Sequence, residues 1–333
     1  MLNIVVGGFY GDEGKGKIVG YLAVKDNFDF VVRAGGGPQA GHTVIEGKKV
    51  TQIPSGFINP NSRLLIARGT IINPEVVLDE IEKYGVGDRV GIDYGCTIIE
   101  QKHIEQEKEL VKRIGSVGTG TGPARADRVL RKARIAKEID SLKPYLTDVA
   151  DEVNEAIKKG KKVLIEGVQG YALSLLDHKF YPYVTSQDTT ASQFAADVGI
   201  GPKTIDDVLV VYKAYASRVG IGPMNFEWDE EKRKKYGIEE RGTVSGRLRR
   251  LGDFDLDLAR ESLIRNTGTQ AAITCIDRLF NGNSGIKKFD ELTEEAKKFV
   301  NRIDYFLRKS SPYFKGIKII STGPNLEDTI DLR

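Results

Sequence analysis

Asp12, Lys15 and His42 are the residues of this chain best placed to do chemistry, because each sits in a glycine-rich turn that follows a short apolar run. The first turn, GFYGDEGKGKIV at residues 8–19, follows Leu2 to Val6, and the second, GGGPQAGHTV at 35–44, follows Phe30 to Val32. From Gly11 to Lys17 the spacing fits the phosphate-loop pattern of a glycine, four residues and Gly-Lys. Glycines let backbone N–H groups crowd an anion, and the N-terminus of the following helix adds partial positive charge. The pattern fails at one position. Where it wants Ser or Thr to hold Mg²⁺ the chain has Ile18, so a metal there needs oxygen ligands from elsewhere, and Asp12 is the nearest. An ordinary phosphate-loop GTPase or ATPase is thereby disfavoured.

A bare carboxylate beside a triphosphate repels it, so Asp12 implies a metal or a proton in the loop. Glu13 is explained as well by the helix dipole as by function. Lys15, between Gly14 and Gly16, reads as a phosphate ligand, whereas Lys17 reads equally well as a solvated surface lysine. His42 is one of three histidines; it lies between a glycine and a threonine with no apolar face to bury it, which favours an acid–base role. His103, in the helical run EQKHIEQEKEL, and His178, in a lysine-flanked loop, read as structural or exposed.

These turns need a frame. Apolar runs recur as LNIVVGG, FVVRAGG, RLLIARG, KVLIEG, DVLVVYKAY, AAITCID and IKIISTG, with helical patterns between them at roughly 74–84, 99–113, 143–159, 253–266 and 290–309. The alternation predicts an α/β fold, a mostly parallel central sheet with helices on both faces. Polar signatures fall where the strands end, at GDEGKGK, EGVQG, CID and STGP, which suggests one site at the strands' carboxyl ends. We expect one elaborated domain over 1–333, with a smaller helical excursion at roughly 99–160 and a charged, solvated excursion at 224–241. Formal net charge is only +3, too small to argue for nucleic-acid or membrane partners. Cys96 and Cys275 are the only cysteines, both in apolar strand-like runs, so core packing is expected rather than a disulfide or metal site. With no membrane-length apolar stretch and a strand where a signal peptide would stand, the expected location is the cytoplasm.

The two turns together resemble the adenylosuccinate synthetase family. Further matches run nearly the whole chain: GTGTGPARADR at 118–128, EGVQG at 166–170, YPYVTSQDTTA at 181–191, KAYASRVGIGP at 213–223, GTVSGRLRRLGDFD at 242–255 and STGPNLEDTI at 321–330. The chain is shorter than most members, through a reduced middle segment and C-terminus. The resemblance implies a phosphate-loop-like, GTP-binding ligase fold. It implies ligation of IMP and L-aspartate to adenylosuccinate through a 6-phosphoryl-IMP intermediate, with GTP as co-substrate and one Mg²⁺ per subunit, at the first committed step of AMP synthesis.

By motif position Asp12 is then the base and a Mg²⁺ ligand, His42 the acid or electrostatic stabiliser, Lys15 the phosphate neutraliser and Gln169 the purine contact that sharpens the step. The Gly41 carbonyl helps hold Mg²⁺. Gly11, Glu13, Gly14, Gly16, Lys17, Thr43 and Arg249 join the GTP site, and Asp277 reads guanine with Cys275, Ser321 and Gly323 nearby. Gln39, Ala40, Val117, Thr185, Val219 and Arg247 join the IMP site, together with Arg131 reaching in from the second subunit of a homodimer. Thr243, Val244, Ser245, Gly246 and Arg247 form the aspartate loop, where arginine can grip a carboxylate with two prongs. In RLRR at 247–250, Arg250, and Arg249 as an alternative, read as basic surface. Departures stand at Pro38 and Gln39, at Val117, where Ser116 or Thr119 could substitute for a threonine, and at Cys275 in place of a lysine. A GTP-driven switch with a variant phosphate loop is the alternative; it needs neither His42 nor the arginine loop. A nucleic-acid binder would rest on RLRR and KRKK alone.

Overall fold

A computed structural model describes residues 1–333. Ten strands form one sheet: β1 (Leu2–Gly7), β2 (Phe30–Arg33), β3 (Arg63–Ile66), β4 (Val90–Asp93), β5 (Leu146–Thr147), β6 (Val163–Glu166), β7 (Asp207–Lys213), β8 (Gln270–Thr274), β9 (Ile317–Ser321) and β10 (Thr329–Asp331). The order across the sheet is β10-β9-β8-β7-β1-β6-β2-β3-β4-β5. All pairings are parallel except that of β10, which runs antiparallel to β9 at one edge. The seven apolar runs of the sequence are β1, β2, β3, β6, β7, β8 and β9.

Side chains alternate along β1, so Ile4 and Val6 pack on one face with α5 (Val149–Lys158), α6 (Ala191–Val198), α8 (Leu256–Arg265) and α10 (Glu294–Ser310). Val5 packs on the other face with α1 (Lys15–Lys25) and α2 (Pro74–Tyr84). Burial on both faces is why these strands read as continuous apolar runs. The remaining helices are α3 (Gln101–Ile114), α4 (Thr121–Val129), α7 (Glu230–Tyr236) and α9 (Ile276–Leu279). The chain leaves β1 and enters β2 two places away, and β6 later fills the gap. That reversal sets a crevice at the carboxyl end of β1.

Two expectations need correction. The helix expected over 143–159 starts only at Val149: Pro144 lies in a 3-10 turn, β5 follows, and the Asp148 side chain caps a fresh start by accepting from Asp151 N. Pro144 lacks the N–H a continuous helix would need. The stretch 224–241 is not simply solvated. Its Trp228 is buried, stacked on Tyr236 with ring centroids 4.8 Å apart, and Glu240 is buried too.

Candidate active site

The chain turns from β1 into α1 around an internal ion pair. Glu13 Oε1 accepts from Phe9 N and Gly11 N, both at 2.8 Å, and Oε2 pairs with Lys15 Nζ at 2.8 Å. Lys15 also donates to Gly11 O at 3.2 Å, so its charge is directed into its own loop. Asp12 points the other way, into a cleft. Its Oδ1 meets Arg249 Nη2 at 2.7 Å, while Oδ2 is buried without a partner. Burial pushes this carboxyl up to about 6, against the pull of Arg249 and Lys213. Lys17 is not a surface lysine. It is buried, and its Nζ donates to Ser321 Oγ and Gly323 O at 2.6 Å and to Asp328 O at 2.8 Å.

The second turn packs directly on the first. A Cβ at Gly16 would sit 2.7 Å from Thr43 O and 2.8 Å from His42 Cβ, so only glycine allows this approach. His42 is 6% exposed, contrary to the reading that nothing would bury it. Its Nδ1 makes a short contact with Glu166 Oε1, and Arg33 Nη1 lies 3.0 Å from the same carboxylate oxygen. Glu166 also accepts from Ser55 N at 2.7 Å and Ser55 Oγ at 2.5 Å. Arg33 Nη1 also lies 2.7 Å from His42 Nδ1, but the Glu166 contact is the shorter and a carboxylate can only accept, so the shared proton is assigned to Nδ1 and Nε2 is left for the cleft. Burial and Arg33 bring His42 down to about 4 despite Glu166, so the imidazole is uncharged near neutrality. Burial raises Glu166, yet Arg33 and His42 outweigh it and hold the carboxyl at about 2.

Asp12 and His42 open on a cleft of about 370 Å³, which Lys15, Lys17, Arg33 and Glu166 do not line. Gly11, Asp12, Gln39, Ala40, Gly41, His42, Val117, Gln169, Thr185, Val219, Thr243, Val244, Ser245 and Arg247 all line it. Gly41 touches the loop from 243: a Cβ there would meet the Thr243 and Val244 side chains at 2.8 Å. Arg247 Nη2 donates to Gly115 O at 2.8 Å and Ser116 O at 3.2 Å, and so ties this loop to the segment holding Val117. Gln39 Oε1 accepts from Thr121 Oγ1 at 2.7 Å, which leaves its amide nitrogen for the cleft. Ser116 bonds to Glu107, and Thr119 lies 3.1 Å from Thr121, so both candidate substitutes for the threonine that Val117 replaces have local partners.

The remaining candidates lie elsewhere. Asp277, Cys275, Ser321 and Gly323 stand at the ends of β8 and β9 around Lys17, outside the cleft. Burial raises the Asp277 carboxyl, with Lys17 opposing. Cys275 is at φ 60 between β8 and α9, not inside a strand, whereas Cys96 is in the core. Arg131 is exposed after α4 and donates to Val129 O at 2.7 Å, away from the cleft of its own chain. Gly14 caps α1, Thr43 is exposed, and Gly246 is at the tip of the 242–247 loop. Arg249 bridges Asp12 and Glu240, while Arg250 pairs with Glu227, so neither is a free basic surface. The sequence reading missed Arg33, Glu166, Lys213 and Glu240. A signal existed for the first two: FVVR and VLIE are apolar strands that end in opposite charges, and the parallel register places Arg33 beside Glu166.

A parallel sheet with a phosphate loop, a carboxylate carrying a free oxygen and an oriented histidine defines an enzyme of phosphoryl transfer. Residues 4–140 and 132–284 match the family model for adenylosuccinate synthetase. The adenylosuccinate synthetase of Archaeoglobus fulgidus is 51% identical over 336 residues, covering 99% of this chain and 98% of its own. That of Pyrococcus horikoshii is 48% identical over 339 residues, with 99% and 98% covered. The structure of a fully ligated adenylosuccinate synthetase from Plasmodium falciparum has a TM-score of 0.90 at 25% identity, covering 99% of each chain. The chain belongs to the adenylosuccinate synthetase family. It is a ligase of purine biosynthesis that joins IMP and L-aspartate at the expense of GTP, and the switch reading does not apply.

Proposed function

We propose that Asp12 is the base that takes the N1 proton of IMP and so lets the hypoxanthine O6 attack the γ-phosphorus of GTP. The observation that carries this is the buried, unpartnered Oδ2 of a residue that lines the cleft. A buried carboxylate oxygen without a donor is costly unless a proton or a cation completes it. As the O6–P bond forms, the bond from the γ-phosphorus to the β–γ bridging oxygen breaks and GDP leaves. His42, held by Glu166, meets the charge on the moving phosphoryl group through Nε2, and Lys15 neutralises the phosphates. The aspartate amine then attacks C6, phosphate departs with the C–O electron pair, and the amine loses a proton. Gln169 orients the purine for both steps.

Arg247, with Thr243, Val244, Ser245 and Gly246, holds the aspartate carboxylates. Gln39, Ala40, Gly41, Val117, Val219 and Thr185 shape the IMP site, and Arg131 completes it from the second subunit of a homodimer. Exposed Val129 and Leu130, beside Arg131, offer apolar surface for such a contact. Asp277 reads guanine, supported by Ser321, Gly323 and the segment from Cys275, while Gly11, Glu13, Gly14, Gly16, Lys17, Thr43 and Arg249 form the rest of the GTP site. The Asp12 carboxylate, through the oxygen now paired with Arg249, and the Gly41 carbonyl would hold Mg²⁺, which would supply charge neutralisation on the phosphates. The chain has no cluster of three His, Cys, Asp or Glu side chains, so other ligands would be substrate oxygens and water. No helix is long and apolar enough to cross a membrane. Positional isotope exchange in bridge-labelled GTP, run with IMP and no aspartate, tests the base directly. Asp12→Asn should abolish the exchange, and exchange at the wild-type rate would remove Asp12 from this role.

A further inference from the structure

Glu240 lies within a stretch that reads as solvated, yet its carboxylate is 5% exposed. Four donors surround it: Lys213 Nζ at 2.5 Å, Arg278 Nη1 at 2.8 Å, Arg249 Nη1 at 3.2 Å and the Tyr215 hydroxyl. Lys213, at the end of β7, is buried and anchors the carboxylate. The two arginines reach outward. Arg249 extends to Asp12 in the phosphate loop at 2.7 Å, and Arg278, next to Asp277 on α9, also donates to Glu239 O at 3.3 Å.

The backbone makes a third link. Arg249 N donates to Glu240 O at 2.9 Å, and Arg241 bridges Leu248 antiparallel, so Glu240 and Arg249 root a hairpin. Its tip is the loop Thr243 to Arg247 on the cleft wall. One buried carboxylate therefore joins the phosphate loop, the element bearing Asp277 and the root of the loop over the cleft. A buried charge with several fixed partners holds them in one geometry, since releasing any partner leaves an uncompensated ion.

We propose that Glu240 is the positioning residue that couples nucleotide binding to aspartate capture. The proposal rests on the assignment above of Asp277 to guanine and of Thr243 to Arg247 to aspartate. Nucleotide phosphates draw on Arg249 and the base settles α9 with Arg278; both act on the carboxylate that fixes the hairpin root, and the tip follows. Coupling of binding free energies is reciprocal, so aspartate tightens GTP by the same factor.

The test is steady-state kinetics with each substrate varied in turn, together with thermal melting, on Glu240→Gln, Arg278→Met, the double variant and Arg247→Leu. Glu240→Gln is expected to raise the KM of GTP and of aspartate about tenfold each, within the usual range of coupling, with the KM of IMP within about twofold. Arg278 lines neither cleft nor hairpin tip, yet Arg278→Met is expected to raise the KM of aspartate, and the double variant to be no worse than Glu240→Gln. Parallel changes in all three KM values, as a merely structural defect gives, would overturn the proposal. So would an unchanged aspartate KM in Arg278→Met. That variant removes a side chain 40% exposed and decides the matter alone if Glu240→Gln does not fold. Arg247→Leu separates the premises: an unchanged aspartate KM there faults the assignment of the aspartate loop, whereas a raised one beside an unchanged Arg278→Met faults Glu240.

Discussion

The turn after β1 and the turn after β2 are both glycine-rich and both built on a buried ion pair, but their counter-ions come from different places. In the first, Glu13 and Lys15 lie two residues apart and satisfy each other and the loop's own N–H groups. In the second, His42 depends on Glu166 from β6 and on Arg33 and Ser55, none of them in its own turn. A self-contained turn holds its shape by local chemistry and leaves Asp12 free to face substrate. A turn propped from a neighbouring strand keeps its histidine neutral and oriented only while the sheet is intact. The first should therefore lose catalysis without losing stability when its reactive residue changes, and the second should lose both when its prop changes.

The largest expected effect is on catalysis. Asp12→Asn removes the proposed base at nearly constant shape, and turnover should fall by about 10² to 10⁴. Because Arg249 retains Glu240, the melting temperature should stay close to wild type. A variant keeping more than about a tenth of wild-type turnover would break this side of the comparison.

Glu166→Gln should do something different. It leaves the buried Arg33 guanidinium without its carboxylate, and breaking a buried pair from one side typically costs about 3–5 kcal/mol. Urea unfolding should show that loss, accompanied by lower turnover because His42 loses its orienting acceptor. His42→Asn should lower turnover with the KM of IMP little changed and with a smaller stability loss. Equal destabilisation by His42→Asn and Glu166→Gln would mean that the two turns are held in the same way.

The same contrast explains what the sequence disclosed. The phosphate loop, the strand ends and the alternation of apolar runs with helices were legible because spacing within one segment encodes them. His42 was legible as a reactive residue, but its burial was not, since Glu166 and Arg33 are distant in sequence and meet only through the pairing of β2 with β6. The burial of Lys17 was not legible for the same reason; its three acceptors are more than three hundred residues away. Glu240 was hidden by its neighbours, because a carboxylate inside EEKRKKYGIEER looks solvated until Lys213, Arg249 and Arg278 are seen around it.

A third test moves from the cleft to the nucleotide-base end. A carboxylate at Asp277 can accept from both N1–H and the exocyclic amine of guanine, whereas adenine offers an acceptor at N1. Asp277→Asn should lower kcat/KM for GTP by about 1.5–3 kcal/mol per charged hydrogen bond lost and improve use of XTP, whose 2-oxygen suits an amide donor. Wild-type preference for ATP, or undiminished GTP use by the variant, would move guanine recognition away from this strand end.

The smallest effect concerns the joint between the two ends. Lys17 begins in the phosphate loop and its ammonium fastens the segment from Ser321 to Asp328. Burial brings it down to about 8, with Asp328, Asp277, Cys275 and Glu327 opposing. Its charge is therefore fully present at neutral pH and lost as pH rises through about 8, so the KM of GTP should increase several-fold between pH 7 and pH 9 as the joint loosens. The effect on stability has the opposite sign. An unfolded lysine stays protonated to its ordinary value of 10.5, so between about 8 and 10.5 the unfolded chain binds more protons at this site than the folded one. Stability contributed by Lys17 should rise with pH across that window. Lys17→Met removes both trends and isolates them from other groups that titrate there: the difference in melting temperature between wild type and variant should shift in favour of wild type as pH rises, while the pH dependence of the GTP KM flattens in the variant. A GTP KM in wild type that stays constant through pH 9 would show that the ammonium of Lys17 does not tie the phosphate loop to the guanine end.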